Sequence, residues 1–473
     1  MLNKKAIFIN TASQITVRFM TMAFALISIK ILTNYLGPAG VGNYNTITTY
    51  INFFIVIADL GLFSVTVREI SKNPEKEKTI ISNVFIIRLI SALLAVIIAV
   101  GLVFVTNYDS QIKLGVLICS GFLLFNLLSS IYDMILQYRL KMQYSALAEF
   151  LSKLITLLAL FVIIKMNGGF LLIISTVLAS GILIFIFKYL FAKKFLNFSP
   201  TYDKKITAWI VSIAWPLGIV FIVNNLFFKL DTLMLYVIKG SVAVGIYSVA
   251  YKLLEVSIIF AGYFSSSLKP TISRNINDKS YLSNVISKSI FVLLLVAAPI
   301  SAICIAFSKE IIIFLSNNDF ISGSNALILL SFTLPLIYLD ILLGEILIAK
   351  DSRKTLIRIS IFILLFNFVT NLIIIPRYSF IGAAFTTALS ELVLLLINLH
   401  YTRKIVPYSI KVIELLKLLL IFIATIIFGF IIKTTGLYFI FSIVITVLFF
   451  AALCQIFGTV KLQTLKSLLN EKT

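Results

Sequence analysis

Charged side chains stand at helical spacing inside long apolar runs of this sequence. At the centre of a membrane helix each such charge costs roughly 2.5–3.5 kcal/mol on insertion scales. The basic ones are Arg18, Lys30, Arg88, Lys153, Lys229, Lys252, Lys288, Arg358 and Lys417, accompanied by Asp59, Asp133, Glu149, Asp231, Glu255, Asp340, Glu345 and Glu391. Each must snorkel to an interface, find a partner or face water. Snorkelling suits Lys30, Lys288, Lys417 and Arg358, which fall near the ends of their runs. Arg18 differs, lying about twelve residues into the first run, roughly 18 Å deep at a rise of 1.5 Å per residue. Thr11, Gln14, Arg18, Thr21 and Ser28 share its helical stripe, the pattern of an aqueous cavity wall or of a hydrogen-bonded seam between helices.

The design recurs. Arg88 sits with Ser91 in the third run, and Asn126, Ser130, Asp133 and Gln137 share a face in the fourth. Glu149 and Lys153 are spaced to form a structural ion pair in the fifth. In the seventh, Asn224 aligns with Asp231, and Asn225 with Lys229. In the eighth, Tyr247, Tyr251 and Glu255 stack on one side, with Lys252 three positions before Glu255. Together these positions predict a hydrated, net-basic interior, suited to holding an anion by charge-assisted hydrogen bonds. Pro216, Pro299 and Pro335 fall inside runs, where a missing N–H favours a bend, and Pro216 with Gly218 is the best-placed hinge.

Catalytic chemistry finds no footing. His400 is the single histidine, and Cys119, Cys304 and Cys454 lie far apart inside apolar runs, where they read as small buried hydrophobes. Without metal-ligand spacing, a P-loop or a Gly-rich nucleotide loop, the expectation is of no metal, no cofactor and no enzyme.

The elements that must position these residues follow from composition. The chain is 60% hydrophobic and 12% charged, with a mean hydropathy of +1.08. Soluble domains carry roughly 25% charged residues. Apolar runs near 6–33, 42–64, 79–106, 113–136, 145–165, 170–190, 210–238, 241–267, 285–308, 325–349, 355–375, 380–400, 413–433 and 436–458 predict an all-α polytopic membrane protein of about fourteen transmembrane helices. Gly37-Pro38, Asn167-Gly168-Gly169 and Thr434-Thr435-Gly436 mark tight turns between runs. The first run, after Lys4 and Lys5, lacks a small-residue cleavage site and reads as a retained helix. A net charge of +21 sits in short loops, so membrane topology explains it and nucleic acid does not. Loops on one side, Lys188 counted among them, hold about four times as many Lys and Arg as the other side's Lys113, Lys165, Lys239, Lys309, Arg377 and Lys433. That bias places both termini in the cytoplasm.

An internal repeat is visible. Val41-Gly42-Asn43-Tyr44 opens the second run and Val244-Gly245-Ile246-Tyr247 the eighth. Duplicated six-helix halves are common in transporters. The expected division is a six-helix bundle over 1–190, a basic cytoplasmic linker over 191–209, a second bundle over 210–404 related by a pseudo-two-fold repeat, and two further helices with a cytoplasmic tail over 405–473.

The segment from Leu32 to Ser71 carries Leu36-Gly37, then Gly40, Gly42 and Tyr44, then Asp59-Leu60-Gly61, then Arg68-Glu69-Ile70. This ordered set resembles the polysaccharide flippases of the MOP superfamily, which include the O-antigen and related capsule or exopolysaccharide transporters. The resemblance implies a V-shaped pair of six-helix bundles working by alternating access. It implies as cargo an undecaprenyl-diphosphate-linked oligosaccharide, moved from the cytoplasmic to the periplasmic leaflet of the bacterial inner membrane alongside polysaccharide-assembly proteins. Arg18 looks like the cavity cation of such flippases. In that frame Arg18 and Arg88, with Lys229 or Lys252 and with Gln14 on the same stripe, hold the diphosphate, while Asn224, Asn225, Tyr247 and Tyr251 meet the sugars. Asp59, Asp231 and Glu255 are the candidate ion-coupling acids. The rival expectations are a multidrug exporter of the same superfamily and a membrane-embedded glycan polymerase or ligase.

Overall fold

The computed structural model describes the backbone of residues 4–350, 352–409 and 411–459, and within it all side chains except those of 4–16, 18, 19, 216, 217, 220, 221, 224 and 353. The described residues form fourteen α-helices and two single 3₁₀ turns, without a strand. The helices are α1 (Lys4–Asp59), α2 (Leu62–Lys72), α3 (Glu77–Val105), α4 (Ser110–Tyr138), α5 (Met142–Lys165), α6 (Phe170–Ala192), α7 (Lys204–Lys239), α8 (Ser241–Arg274), α9 (Lys279–Ala306), α10 (Ser308–Leu315), α11 (Gly323–Ala349), α12 (Arg353–Ile405), α13 (Val412–Lys433) and α14 (Phe439–Ile456). Among the described residues, eleven helices are long and apolar enough to cross a membrane. The protein is an all-helical, multi-pass membrane protein.

Two of the long rods are broken where the sequence has its turns. In α1, Gly37 takes φ 64°, ψ −177°, a conformation that glycine adopts readily, and Pro38 next to it lacks the N–H of the helical ladder. In α12 the break is at Ser379 (φ 53°), three residues after Pro376. Each rod is therefore two spans, matching the runs read at 6–33 and 42–64, and at 355–375 and 380–400. The second run ends earlier than its hydrophobicity suggests. Leu60 (φ 50°) and Gly61 (φ 71°) turn left-handed after Asp59, and α2 leaves as a separate short helix.

The chain forms two compact units, Met1–Gly245 and Ile246–Thr473. In the first, α3 lays Ala92, Ala95 and Ala99 against Ile47, Ile51 and Phe54 of α1, and the Tyr50 hydroxyl donates to the Ala99 carbonyl at 2.8 Å. Small residues let helix backbones approach where lipid offers no hydrophobic drive. The two copies of the Val-Gly motif meet within this unit. A Cβ on Gly42 would collide with the Ser241 carbonyl, and one on Gly245 with the Pro38 carbonyl. The repeated glycines are thus two halves of one close backbone crossing. Toward lipid, α3 presents Ile90, Leu93, Leu94, Ile97 and Ile98, all exposed.

In the second unit, α13 and α14 cover α9 through Leu418, Ile421, Phe450, Cys454 and Ala298. Lys433 of α13 caps the end of α9, donating to the Ala306 carbonyl at 3.0 Å and pairing with Glu310 at 2.9 Å. Pro335 leaves the Ser331 carbonyl without its helical donor, and the Ser301 hydroxyl supplies one at 2.8 Å. That repair tolerates Pro335 inside a continuous α11, and α9 likewise runs through Pro299.

Candidate functional site

Among the described residues of the first unit, two cations are buried, Arg88 and Lys188. Arg88 of α3 is 0% exposed, and its Nη2 donates to Asp59 Oδ1 at 2.5 Å. The other carboxylate oxygen accepts from the Gly61 N–H at 3.1 Å. Asp59 therefore serves both the Leu60-Gly61 turn and the arginine, and Gly61 in turn lies against the backbone of Gly218 on α7. In this conformation Arg88 offers no open face to a ligand. Its Nε and Nη1 nevertheless find no acceptor among the described residues.

The second cation is Lys188. The loop assignment made from the sequence is corrected here: Lys188 belongs to α6 and is 4% exposed. It pairs with Asp133 of α4 at 2.7 Å and with Glu149 of α5 at 3.3 Å, and the Ser145 hydroxyl donates to Asp133 at 2.6 Å. The expected local pairing of Glu149 with Lys153 thus competes with a partner from another helix. Lys188 supplies the positive charge for two acids brought together by α4, α5 and α6.

On α7, Asp231 is buried at 3% exposure, while Asn225 and Lys229 are half-buried. All three engage other groups. On α8, the Lys252 ammonium pairs with Glu255 at 3.0 Å, with side chains 36% and 31% exposed. This pair is charged and unsealed within a membrane-long helix, where hydrocarbon would oppose it. Tyr247 and Tyr251, in contrast, are buried with their rings 5.4 Å apart, and the Tyr247 hydroxyl lies 3.4 Å from Thr387 Oγ1 of α12. Neither presents a free edge to a sugar in this state. The side chains of Arg18, Gln14 and Asn224, and of the hinge residue Pro216, lie outside the described residues.

Sequence reasoning placed Asp340 and Glu391 among the intramembrane acids without joining them. The structure buries both, and Asn398 of α12 donates from Nδ2 to Asp340 Oδ1 of α11 at 3.0 Å. Lys269 of α8 also reaches Glu345 of α11 at 3.2 Å.

A family profile described as "Polysaccharide biosynthesis protein" matches residues 7–276. The chain belongs to the polysaccharide biosynthesis protein family. Residues 216–373 also match the MatE profile. The fold agrees. A structure described as "Lipid II flippase MurJ, inward closed conformation" superposes with a TM-score of 0.79 at 18% identity, covering 94% of this chain and 98% of that one. Among curated proteins, the chain is 28% identical over 170 residues to the "Probable low-salt glycan biosynthesis flippase Agl15" of Haloferax volcanii, 36% of each chain. It is 23% identical over 219 residues to the "Capsular polysaccharide biosynthesis protein CapF" of Staphylococcus aureus, 46% of this chain and 55% of that one. The matches therefore span about a third to a half of those relatives' length. The chain thus shares this family's profile and the fold of that flippase structure.

Proposed function

We propose that the protein flips an undecaprenyl-diphosphate-linked oligosaccharide, a repeat unit of O-antigen or another surface polysaccharide, from the cytoplasmic to the outer leaflet of the bacterial cytoplasmic membrane by alternating access. Both termini are cytoplasmic in this reading, and the protein works beside other polysaccharide-assembly proteins. The observation that carries it is the half-exposed Lys252–Glu255 pair within α8. A charged pair that is not sealed in protein and lies in a membrane-long helix needs water. A watery path is what a glycan requires, since its hydroxyls cannot cross hydrocarbon unaided, while the polyprenyl chain can remain in lipid. Names of relatives that mention glycan biosynthesis flippase and capsular polysaccharide biosynthesis support the cargo class.

In this reading Arg18, Lys229 and Lys252 hold the diphosphate, with Gln14 beside Arg18 on its stripe. Arg88 adds its two spare guanidinium nitrogens when its surroundings open. Asn224 and Asn225 meet the sugars, joined by Tyr247 and Tyr251 once the eighth helix exposes them. Asp231, Glu255 and Asp59 are ion-coupling candidates. The test is a chromosomal deletion. Lipid-linked glycan should accumulate on the cytoplasmic face of membrane vesicles, and Arg18→Ala should fail to restore its export where Arg18→Lys restores it in part. Normal export in the deletion strain refutes the reading.

The MatE match over residues 216–373 favours a second reading, export of small cationic compounds. New drug susceptibility in the deletion strain with unchanged surface glycan would select it.

A further inference from the structure

Cations gather at the end of α12 beside an uncovered apolar face. After the break at Ser379, this helix runs from Phe380 to Ile405. From Phe380 to His400 it rises roughly 30 Å at 1.5 Å per residue, about the thickness of a bilayer's hydrocarbon. His400 thus stands where acyl chains give way to headgroups, and Arg403 and Lys404 follow one turn beyond, all three exposed. Phe385, Leu392 and Leu396 are also exposed. At about 3.6 residues per turn they share a side with Leu399, His400, Arg403 and Lys404. The opposite side is packed, with Asn398 and Thr402 buried. Leu396, Leu399, His400, Arg403 and Lys404 line an open cavity of about 460 Å³.

The cations are held in place by aromatic rings and left without acids. The Arg403 guanidinium lies 5.9 Å from the centre of the Tyr408 ring. Tyr408 is buried, with its hydroxyl 2.7 Å from Thr402 Oγ1. Its loop is tied to α9, where the Ser283 and Ser287 hydroxyls donate to the Pro407 and Ser409 carbonyls at 3.0 and 2.8 Å. Lys404 Nζ lies 5.8 Å from the centre of the Tyr401 ring, which also stands edge-on to His400 at 5.5 Å. Among the described residues no carboxylate pairs with His400, Arg403 or Lys404, and Glu414, the next acid along the chain, is held by Lys411 at 3.2 Å. A helix dipole favours cations in the last turn, but it neither makes a cavity nor aligns one with an apolar track.

We propose that this cavity binds an anionic phospholipid, with the phosphate held by His400, Arg403 and Lys404 and one acyl chain lying along Leu399, Leu396, Leu392 and Phe385. The guanidinium fork matches two phosphate oxygens, the ammonium adds a point charge, and the imidazole donates one N–H. A soluble phosphate would meet the cations but leave the apolar track uncovered. A zwitterionic headgroup brings a cation of its own, which Arg403 and Lys404 repel. The bound lipid pins the end of α12 at the membrane surface. This site does not depend on the transport reading above.

The test titrates the full-length protein in detergent micelles with phosphatidylglycerol, or with phosphatidylcholine of the same acyl chains, and counts bound lipid by native mass spectrometry. The wild type should prefer phosphatidylglycerol. Arg403→Gln/Lys404→Gln should weaken its binding about 30-fold, from about fivefold per cation lost at a membrane surface, and leave phosphatidylcholine unaffected. Lys354→Gln/Arg358→Gln removes two exposed cations from the start of the same helix and should change neither affinity. Should the Arg403/Lys404 variant misfold, Lys404→Gln alone must still weaken phosphatidylglycerol binding about fivefold. Equal affinity of the wild type for the two lipids would overturn the site. An equal loss in both double variants would do the same, because the attraction would then be diffuse. Inorganic phosphate in excess should leave the lipid bound, and its displacement would make a soluble phosphate the ligand and overturn the lipid assignment.

Discussion

Asp59→Ala is the most informative single change in the first unit. It removes the counter-charge that the described residues give a fully buried guanidinium, and the acceptor of the Gly61 N–H, which fixes the turn between α1 and α2. Removing one partner of a buried ion pair costs about 3–5 kcal/mol, because the other charge is left uncompensated. At about 1.4 kcal/mol per tenfold, this lowers the folded-to-unfolded ratio by roughly two to three and a half orders of magnitude. The lost turn bond adds about 1 kcal/mol. Replacing both partners with apolar side chains, as in Arg88→Met/Asp59→Leu, should cost far less than either half, because no orphan charge remains. Thermal aggregation of purified variants, followed by size-exclusion chromatography, measures this directly. An Asp59→Ala variant within about 1 kcal/mol of wild type would show that the pair does not hold the turn. The folded double variant also separates architecture from transport. If it moves glycan as wild type does, Arg88 has no role toward substrate.

Three further outcomes follow from the packing. Gly42→Ala and Gly245→Ala each place a methyl group on a facing carbonyl, of Ser241 and Pro38 respectively. Overpacking of about 1–3 kcal/mol should outweigh the helix-propensity gain of up to about 1 kcal/mol, lowering thermal stability, whereas Gly101→Ala, with open space around it, should be neutral or mildly stabilising. Lys188→Met removes the cation from the buried Asp133 and should destabilise by about 3–5 kcal/mol, with partial rescue by Asp133→Asn, read by the same chromatographic assay. Lys252→Glu should abolish surface glycan while leaving protein abundance near wild type, because a half-exposed side chain carries little of the fold.

The spans were legible because apolar length and the turn chemistry of Gly37-Pro38 are local properties that survive into the fold. The Val-Gly repeat was visible as well, but its physical meaning, a backbone crossing that excludes any Cβ, needed coordinates. Charge pairing was legible only in part. Lys252 and Glu255 are three residues apart and pair as helical spacing allows. Glu149 has an i,i+4 neighbour in Lys153, yet Lys188 reaches it from α6, and helical spacing cannot weigh a tertiary rival against a local one. Lys188 stood beside a basic loop, so position in sequence suggested solvent where packing supplies two carboxylates. Asp59 with Arg88, and Asp340 with Asn398, sit on different spans, and the sequence reveals that each must be satisfied without revealing by whom.

Flipping itself is the central claim, and proteoliposomes measure it. The protein is reconstituted with a fluorescent polyprenyl-diphosphate oligosaccharide confined to one leaflet, and a membrane-impermeant quencher reports its arrival in the other. Protein-dependent translocation, reduced by Lys252→Glu, is the predicted result. Translocation no faster than in protein-free vesicles, with correctly folded protein present, would contradict the account.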